Sequence, residues 1–343
     1  MTDSQTMSKT QEGKSASIST MRVLAMFMII AFHSMLFYTG KWWQFNGPSI
    51  PLWVKISEFL NTIDLPMFVF ISGFLFGHLY INKNKYRDKV QFLQGKTQRL
   101  LIPYLFWGMF MVISMPSLNQ WGELLTGISH LWFLLMLFEI FMITIWASPF
   151  LCFKASHFQW MLVFIGAVLL FNVYHLYSTH HYFLCLHAVL FYLPAFLLGM
   201  CCARFRLQER ISVNFAIVLL PTTLFVLASY LFLCTPFPFI ANYALQLITG
   251  YIVIICSFVL LCQKYNPGET VAKFINHIDR LSMGIYIFNQ IVINMFIIIP
   301  SVRCFLGKHH YIGVPVLFVV GSVIPYFLSF LFNKSRLLKW TIG

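Results

Sequence analysis

Charged residues are scarce in this chain: Asp, Glu, Lys and Arg make up 10% of its 343 residues, whereas hydrophobic residues make up 59%. Soluble domains contain roughly 25% charged residues, so this composition excludes an ordinary soluble protein. The eight cysteines form no CxxC or Cys/His spacing, and we predict no metal site. The first 20 residues contain no apolar core of a signal peptide, so we expect no cleavable leader.

Long apolar stretches take the place of the missing charge, and each is about long enough to cross a bilayer. They predict an all-α, polytopic membrane protein of about ten transmembrane helices. Residues 1–20, which are polar and poor in aromatics, are predicted to be a disordered cytoplasmic tail, and 21–343 a single membrane domain. The ten predicted spans are 21–39, 57–79, 100–115, 129–147, 159–174, 185–203, 213–234, 242–262, 282–300 and 314–333.

The net charge of +13 is distributed unevenly around these spans. If the N-terminus is cytoplasmic, all but four of the 23 Lys and Arg residues lie on the cytoplasmic side; the exceptions are Lys41, Lys55, Arg303 and Lys308. This bias follows the positive-inside rule and predicts that both termini are cytoplasmic. The basicity therefore reports topology and contact with the lipid bilayer, and we predict no nucleic-acid partner.

Two polar residues interrupt the first apolar stretch, RVLAMFMIIAFH: Arg22 and His33. Eleven steps of about 100° place them on one stripe of a single helix, about 16 Å apart along its axis. Polar side chains are costly inside a bilayer and are functional candidates for that reason. The alternative is that Arg22 only flanks the span and His33 only packs through a hydrogen bond.

Consecutive spans cross the bilayer in opposite directions, and His33 and Asp64 lie at about the same distance from the outer ends of the first and second predicted spans. The two side chains are therefore predicted to lie at a similar depth. A carboxylate at that depth would fix the tautomer of the imidazole and raise its basicity, as a general base requires. We therefore predict His33 and Asp64 as the catalytic pair. The alternative is that each is hydrogen-bonded to backbone or water.

Loop 80–99 carries six cations, and two of them, Lys96 and Arg99, lie at the start of the third span on the same side as Arg22. These three residues are predicted to bind the phosphates of a cytosolic cofactor. Attraction to lipid headgroups is the alternative. Four other polar or aromatic residues are candidates for binding an acceptor substrate or for supporting the catalytic residues: Ser72, His130, Trp132 and Glu139. The alternatives are roles in helix packing or in an aromatic belt at the membrane interface.

Several segments, taken in order, resemble the bacterial integral-membrane acyltransferase-3 family. They span about 22–290 and comprise the arginine–ten residues–histidine signature (Arg22, His33), PMFVFISGFLFG, KTQRLLIPYLFW, HLWFL, FYLPAFLLGM and LSMGIYIFNQ. The resemblance implies transfer of an acyl group, usually acetyl from cytosolic acetyl-CoA, to a hydroxyl of a cell-envelope glycan. It also implies that the histidine is catalytic and that the arginine cluster binds the CoA.

The late motif departs from the family pattern. It commonly ends in histidine, whereas this chain has Asn289 three residues after Tyr286, and asparagine can hydrogen-bond but cannot titrate. Tyr286 and Asn289 therefore join the acceptor or support candidates. The resemblance also implies the bacterial cytoplasmic (inner) membrane, with envelope-polysaccharide synthesis proteins or a second copy of the chain as candidate partners.

A different class of function is an exporter of a glycan or its precursor, with His33 and Asp64 as a proton relay. Internal repeat symmetry would favour transport, and we detect none in the sequence. We therefore predict the membrane O-acyltransferase. The sequence does not distinguish one acceptor glycan from another, or an acetyl from a succinyl donor.

Overall fold

The computed structural model of the chain describes residues 2–40, 42, 47–83, 85, 88–115, 120–152, 159, 166, 183–234 and 239–343. These residues are overwhelmingly helical, which confirms the predicted all-α class, and the described part contains no strand beyond an isolated bridge between Thr39 and Ser49. The helices, in chain order, are α1 Thr2–Leu36, α2 Pro51–Asn61, α3 Asp64–Gly77, α4 Lys89–Lys96, α5 Ile102–Ser114, α6 Trp132–Cys152, α7 Leu186–Phe205, α8 Leu207–Arg210, α9 Phe215–Cys234, α10 Phe239–Lys264, α11 Glu269–Ile298, α12 Pro300–Lys308 and α13 His310–Lys334.

Within the described residues, seven helical segments are long and apolar enough to cross a membrane, so the predicted number of ten is not confirmed. The difference lies in three of the predicted spans. The stretch 100–115 forms α5, which has 13 residues, and α9 contributes a shorter apolar segment, Phe215–Leu231. The predicted span 159–174 lies outside the described residues, apart from residues 159 and 166.

The first helix begins well before the apolar stretch that predicted it. Residues 2–20, expected to be a disordered tail, are helical and continuous with the rest of α1. Ala16, Ser17 and Ser19 are buried. Ser17 Oγ donates to the Leu261 carbonyl at 3.0 Å, and Ser19 Oγ donates to a carboxylate on α11 at 2.8 Å. These tertiary contacts order the end of a polar segment whose composition alone predicts disorder.

Helices α3 and α7 pack with their backbones close together because two glycines face each other across the contact. A methyl group on Gly73 would overlap the carbonyl oxygen of Phe196, and a methyl on Gly199 would overlap that of Phe70. Small residues of this kind let helices approach closely in a membrane. This pair fixes the position of α3, which lines the candidate site.

We expect Gly199→Ala to lower the thermal unfolding temperature of the detergent-solubilised protein. The added methyl would have to displace the α3 backbone, and overpacking of this kind costs about 1–3 kcal/mol. Gly95→Ala in α4 is the matched control, since a methyl at that position meets nothing within 4 Å. An unfolding temperature for Gly199→Ala that equals the control's would contradict the close contact.

The outer helices turn large apolar side chains away from the protein. Leu220 and Leu227 on α9 are 64% and 53% exposed, and Phe327 and Leu331 on α13 are 57% and 60% exposed. Exposed leucine and phenylalanine side chains on long apolar helices are what a helix that faces lipid requires. The protein is therefore a multi-pass membrane protein, with α11 packed between α1 and α13.

Candidate active site

One face of α1 links the two residues that the sequence singles out. Arg22, Met26, Ile29 and His33 follow the spacing i, i+4, i+7, i+11, which places them on a single stripe. Arg22 lines a large cavity, while Met26 and Ile29 line a narrow gap next to it. His33 lies one helical turn beyond Ile29. The predicted stripe on one helix is thus present, and it runs from a cavity towards the interior.

Three other helices present stripes of their own to the same two spaces, each running from the large cavity to the narrow gap. Phe68 of α3, with Ser282 and Met283 of α11, lines both spaces, so the two spaces are adjacent. The lining residues, from the large cavity inwards, are Leu79, Phe76, Ser72 and Phe68 in and just after α3, Phe141, Leu137 and Phe133 in α6, and Asp279, Met283 and Tyr286 in α11. About one helical turn further along these three elements come Asp64, His130 and Asn289, which line neither space.

The large cavity, which we call the basic cavity, has a volume of about 570 Å³ and is lined by five cationic side chains and one acidic side chain. The predicted cofactor-binding set of Arg22, Lys96 and Arg99 is brought together here. Two further cations that the sequence analysis missed also line it, Arg280 and Lys339. An excess of positive charge in a concave site favours an anionic ligand of high charge density, such as a phosphate group.

The basic cavity already contains one ion pair. Arg22 Nη2 lies 2.5 Å from Asp279 Oδ2, and the Asp279 side chain is only 8% exposed. Ser19 Oγ donates to the same carboxylate oxygen. Arg22 Nε is buried with no hydrogen-bond partner among the described residues. The guanidinium therefore has an unused donor while one of its nitrogens holds Asp279.

Lys96 lies against two aromatic rings at the wall of the basic cavity. Its Nζ is 3.7 Å from the centre of the Phe141 ring and 5.4 Å from that of Phe92. Burial, together with the positive charges of Arg99 and Arg22, lowers the pKa of Lys96 from 10.5 to about 8. The ammonium group is poorly solvated here, and an incoming anion would stabilise its charged form.

His33 is held by an asparagine rather than by the predicted aspartate. His33 Nδ1 lies 2.6 Å from Asn289 Oδ1, and Asn289 Nδ2 donates to the Gly321 carbonyl of α13 at 2.8 Å. Asp64 is fully buried; its Oδ1 accepts from the Leu65 backbone amide, and its Oδ2 has no partner in the described part of the chain. No hydrogen bond joins His33 and Asp64 among the described residues. The predicted hydrogen bond between them is therefore wrong, and Asn289 is the partner of His33.

A second buried histidine lies beside the first. The rings of His33 and His130 are nearly perpendicular, with centroids 6.1 Å apart. His130 Nε2 donates to the Ile287 carbonyl at 2.9 Å, and the Tyr286 hydroxyl donates to the His130 carbonyl. His130 and Asn289 thus contact His33, and Tyr286 contacts His130; all three were predicted only as acceptor or support candidates.

Two candidates lie away from this region. Trp132 packs against Tyr192 of α7, with ring centroids 5.8 Å apart. Glu139 lies two residues from both Leu137 and Phe141, which puts it on the opposite face of α6 from the cavity. It is buried, and neither of its carboxylate oxygens has a partner among the described residues.

Ser72, another of the predicted candidates, does line the basic cavity, but its hydroxyl donates to the Phe68 carbonyl.

The four stripes describe a class of protein: a multi-pass helical membrane protein with a polar site buried among its helices and a charged cavity leading towards it. The acyltransferase-3 family model, described as an acyltransferase domain, matches residues 15–334. The chain therefore belongs to this family, as the resemblance implied.

Curated relatives match over a shorter segment. The chain is 26% identical over 145 residues to glucans biosynthesis protein C of Escherichia coli strain K12, and it has the same identity to the protein of that name from E. coli O157:H7. The match covers 38% of this chain and 37% of each relative. No solved structure matches the chain significantly.

Proposed function

We propose that this protein moves an acyl group, with acetyl as the first candidate, from acyl-CoA to a hydroxyl of a cell-envelope glycan. The observation that carries the proposal is the α1 stripe, which has a cation-lined cavity at Arg22 and a buried, hydrogen-bonded histidine at His33. Such a site suits a long substrate with an anionic end and a reactive end.

The anionic end of the donor is the phosphate-bearing part of CoA. Arg22, Lys96 and Arg99 would hold these phosphates, with Arg280 and Lys339 adding to the positive field of the cavity. The distribution of cations around the spans supports a cytoplasmic position for this end in the bacterial inner membrane, with both termini on that side.

The reactive end would follow the stripe inwards. Arg22 and His33 are separated by about 16 Å along α1, a distance that the extended pantetheine arm of CoA can cover. The arm would pass Met26 and Ile29 in the narrow gap. The rings of Phe133 and Tyr286, 5.5 Å apart, lie at the inner end of that gap and would have to shift to admit a thioester.

The chemistry at His33 is general base catalysis. The imidazole would take the proton from the acceptor hydroxyl as its oxygen attacks the thioester carbonyl. The tetrahedral intermediate then collapses, the carbon–sulfur bond breaks, and the proton passes from His33 to the departing thiolate. The products are the acylated glycan and CoA, and His33 returns to its neutral form.

Transfer in membrane vesicles tests this proposal. Inside-out vesicles are prepared from a deletion strain complemented with the gene for this protein, and they are given [14C]acetyl-CoA. The radioactivity of the glycan fraction is counted before and after mild alkaline treatment. We expect alkali-labile label in the glycan, and little label in right-side-out vesicles. A glucan fraction is the first acceptor to examine, given the name of the relatives. Absence of transfer from both acetyl-CoA and succinyl-CoA would overturn the proposal.

We expect the affinity for CoA to fall as the pH rises above about 8. Lys96 carries its charge below its pKa of about 8 and loses it above that value, so its attraction to phosphate weakens on the alkaline side. The expected loss is about 10-fold between pH 7.5 and 9.5, measured by calorimetric titration of the detergent-solubilised protein with CoA. Lys96→Arg, which stays charged throughout, should show a flat profile; an equally flat wild-type profile would contradict a role for Lys96.

A further inference from the structure

We propose that Asn289 is a positioning residue that holds His33 in the tautomer with its hydrogen on Nδ1, leaving Nε2 as the basic nitrogen. This inference rests on the proposed function, because it assigns the nitrogen that would receive the proton of the acceptor hydroxyl. It concerns the residue at which the chain departs from the family pattern.

The direction of the asparagine amide follows from its second partner. The Gly321 carbonyl can only accept a hydrogen bond, so the group 2.8 Å from it must be the Nδ2 amide, which donates. The oxygen Oδ1 therefore faces His33. Since an amide oxygen can only accept, the Nδ1 atom 2.6 Å away must carry hydrogen. A neutral imidazole with hydrogen on Nδ1 has its lone pair on Nε2.

The surroundings prevent the amide from turning over. Asn289 is fully buried on α11. A Cβ atom on Gly321 would lie 2.7 Å from Asn289 Nδ2 and 2.8 Å from Ile293 Cδ1. The backbone of α13 therefore approaches α11 so closely here that only glycine fits. A flipped amide would place its oxygen against the Gly321 carbonyl oxygen, and because both oxygens can only accept, that hydrogen bond would be lost. The close backbone thus selects one orientation of the amide, and the amide selects one tautomer.

His130 shows that this control is specific to His33. Its Nε2 donates to the Ile287 carbonyl, so in the neutral ring the lone pair is on Nδ1, which has no partner among the described residues. The two neighbouring imidazoles are therefore held in opposite tautomers. His130 is fixed by main chain, whereas His33 is fixed by a side chain, so only the tautomer of His33 can be changed by one substitution.

The test combines kinetics with 15N NMR of protein labelled at histidine. In the wild type, the His33 signals, assigned by their loss in His33→Ala, should show a protonated Nδ1 and an unprotonated Nε2. Asn289→Leu removes the acceptor and should give a mixture of tautomers, with kcat for [14C]acetyl transfer in vesicles lowered about 10- to 100-fold. The KM for acetyl-CoA should change less than about 2-fold, because the basic cavity is untouched.

Two further variants separate positioning from folding. Asn289→Asp keeps an oxygen facing Nδ1, so it should retain more activity than Asn289→Leu, and its negative charge should move the acidic limb of the kcat/KM profile to higher pH. Asn294→Leu is the matched control: Asn294 is also fully buried on α11, and its amide has no partner among the described residues. Its kcat should stay within about 2-fold of the wild type.

Each failure has a distinct signature. A wild-type spectrum with hydrogen on Nε2 of His33 would overturn the inference, even if Asn289→Leu does not fold. An Asn289→Leu protein with wild-type kcat and spectrum would also overturn it. Normal transfer by His33→Ala would instead overturn the proposed function, whatever the Asn289 variants do.

Discussion

Cells that produce the His33→Ala variant at the wild-type level are expected to contain at least about 100-fold less acylated glycan than wild-type cells. General base catalysis contributes about 10²- to 10⁴-fold to a rate. Among the described residues, no other side chain has the hydrogen bond to Asn289 that holds His33 in place. Mass spectrometry of surface glycans measures the loss directly. Binding of CoA should survive, because its proposed contacts lie about 16 Å away along α1.

A matched histidine substitution controls for general damage to the helix bundle. His277 on α11 is partly buried and hydrogen-bonded to the Tyr326 hydroxyl at 3.1 Å, but it does not line the basic cavity or the narrow gap. His277→Ala should leave acylation within about 2-fold of the wild type. Acylation that is unchanged in His33→Ala would end the proposed mechanism.

The arrangement of α1 was predictable because helical geometry is local. An interval of eleven residues puts Arg22 and His33 on one stripe whatever the rest of the protein does. The same rule extends to Met26 and Ile29, which fall at i+4 and i+7, and this signal in the sequence could have identified the walls of the narrow gap. The apolar length of the helices likewise predicted a membrane protein without any knowledge of their packing.

The partner of His33 was not predictable in this way. A match in depth between His33 and Asp64 says nothing about which way each helix turns its face. The actual partner, Asn289, is 256 residues away. It reaches His33 because α1 and α11 run parallel: Arg22 meets Asp279 and His33 meets Asn289, so steps of eleven and ten residues along the two helices cover nearly the same distance.

Arg280 and Lys339 were missed for a related reason. Each is one of several cations in the short segments near the ends of the predicted spans, and composition does not say which of them face inwards. Glu139 shows the converse: the cost of burying a carboxylate suggested a role in the site, but the described structure turns it to the far side of α6. Charge in an apolar sequence therefore identified candidate residues, but the helix face on which each one lies determined whether it lines the basic cavity.

Removing Arg22 is expected to have two effects, and their separation decides its role. Arg22→Ala loses a proposed phosphate contact, and it also leaves the Asp279 carboxylate buried without its cation. We expect CoA to bind at least about 30-fold more weakly, from one charge-assisted contact and the unscreened negative charge. Thermal stability should fall too, by about 1–3 kcal/mol, because the Arg22 side chain is 32% exposed and part of the ion-pair energy is screened.

The Asp279→Asn background separates these effects, because the neutral amide no longer requires a cation and can still accept from Ser19. The double variant Arg22→Ala/Asp279→Asn should regain most of the stability lost by Arg22→Ala. It should nevertheless bind CoA at least about 10-fold more weakly than Asp279→Asn alone. Lys273→Ala is the charge control, since Lys273 is exposed and paired with Glu269 on the surface of α11. Equal CoA affinities in the single Asp279→Asn and double variants would show that Arg22 only neutralises Asp279, and the phosphates would then have to be held by the other cations of the basic cavity.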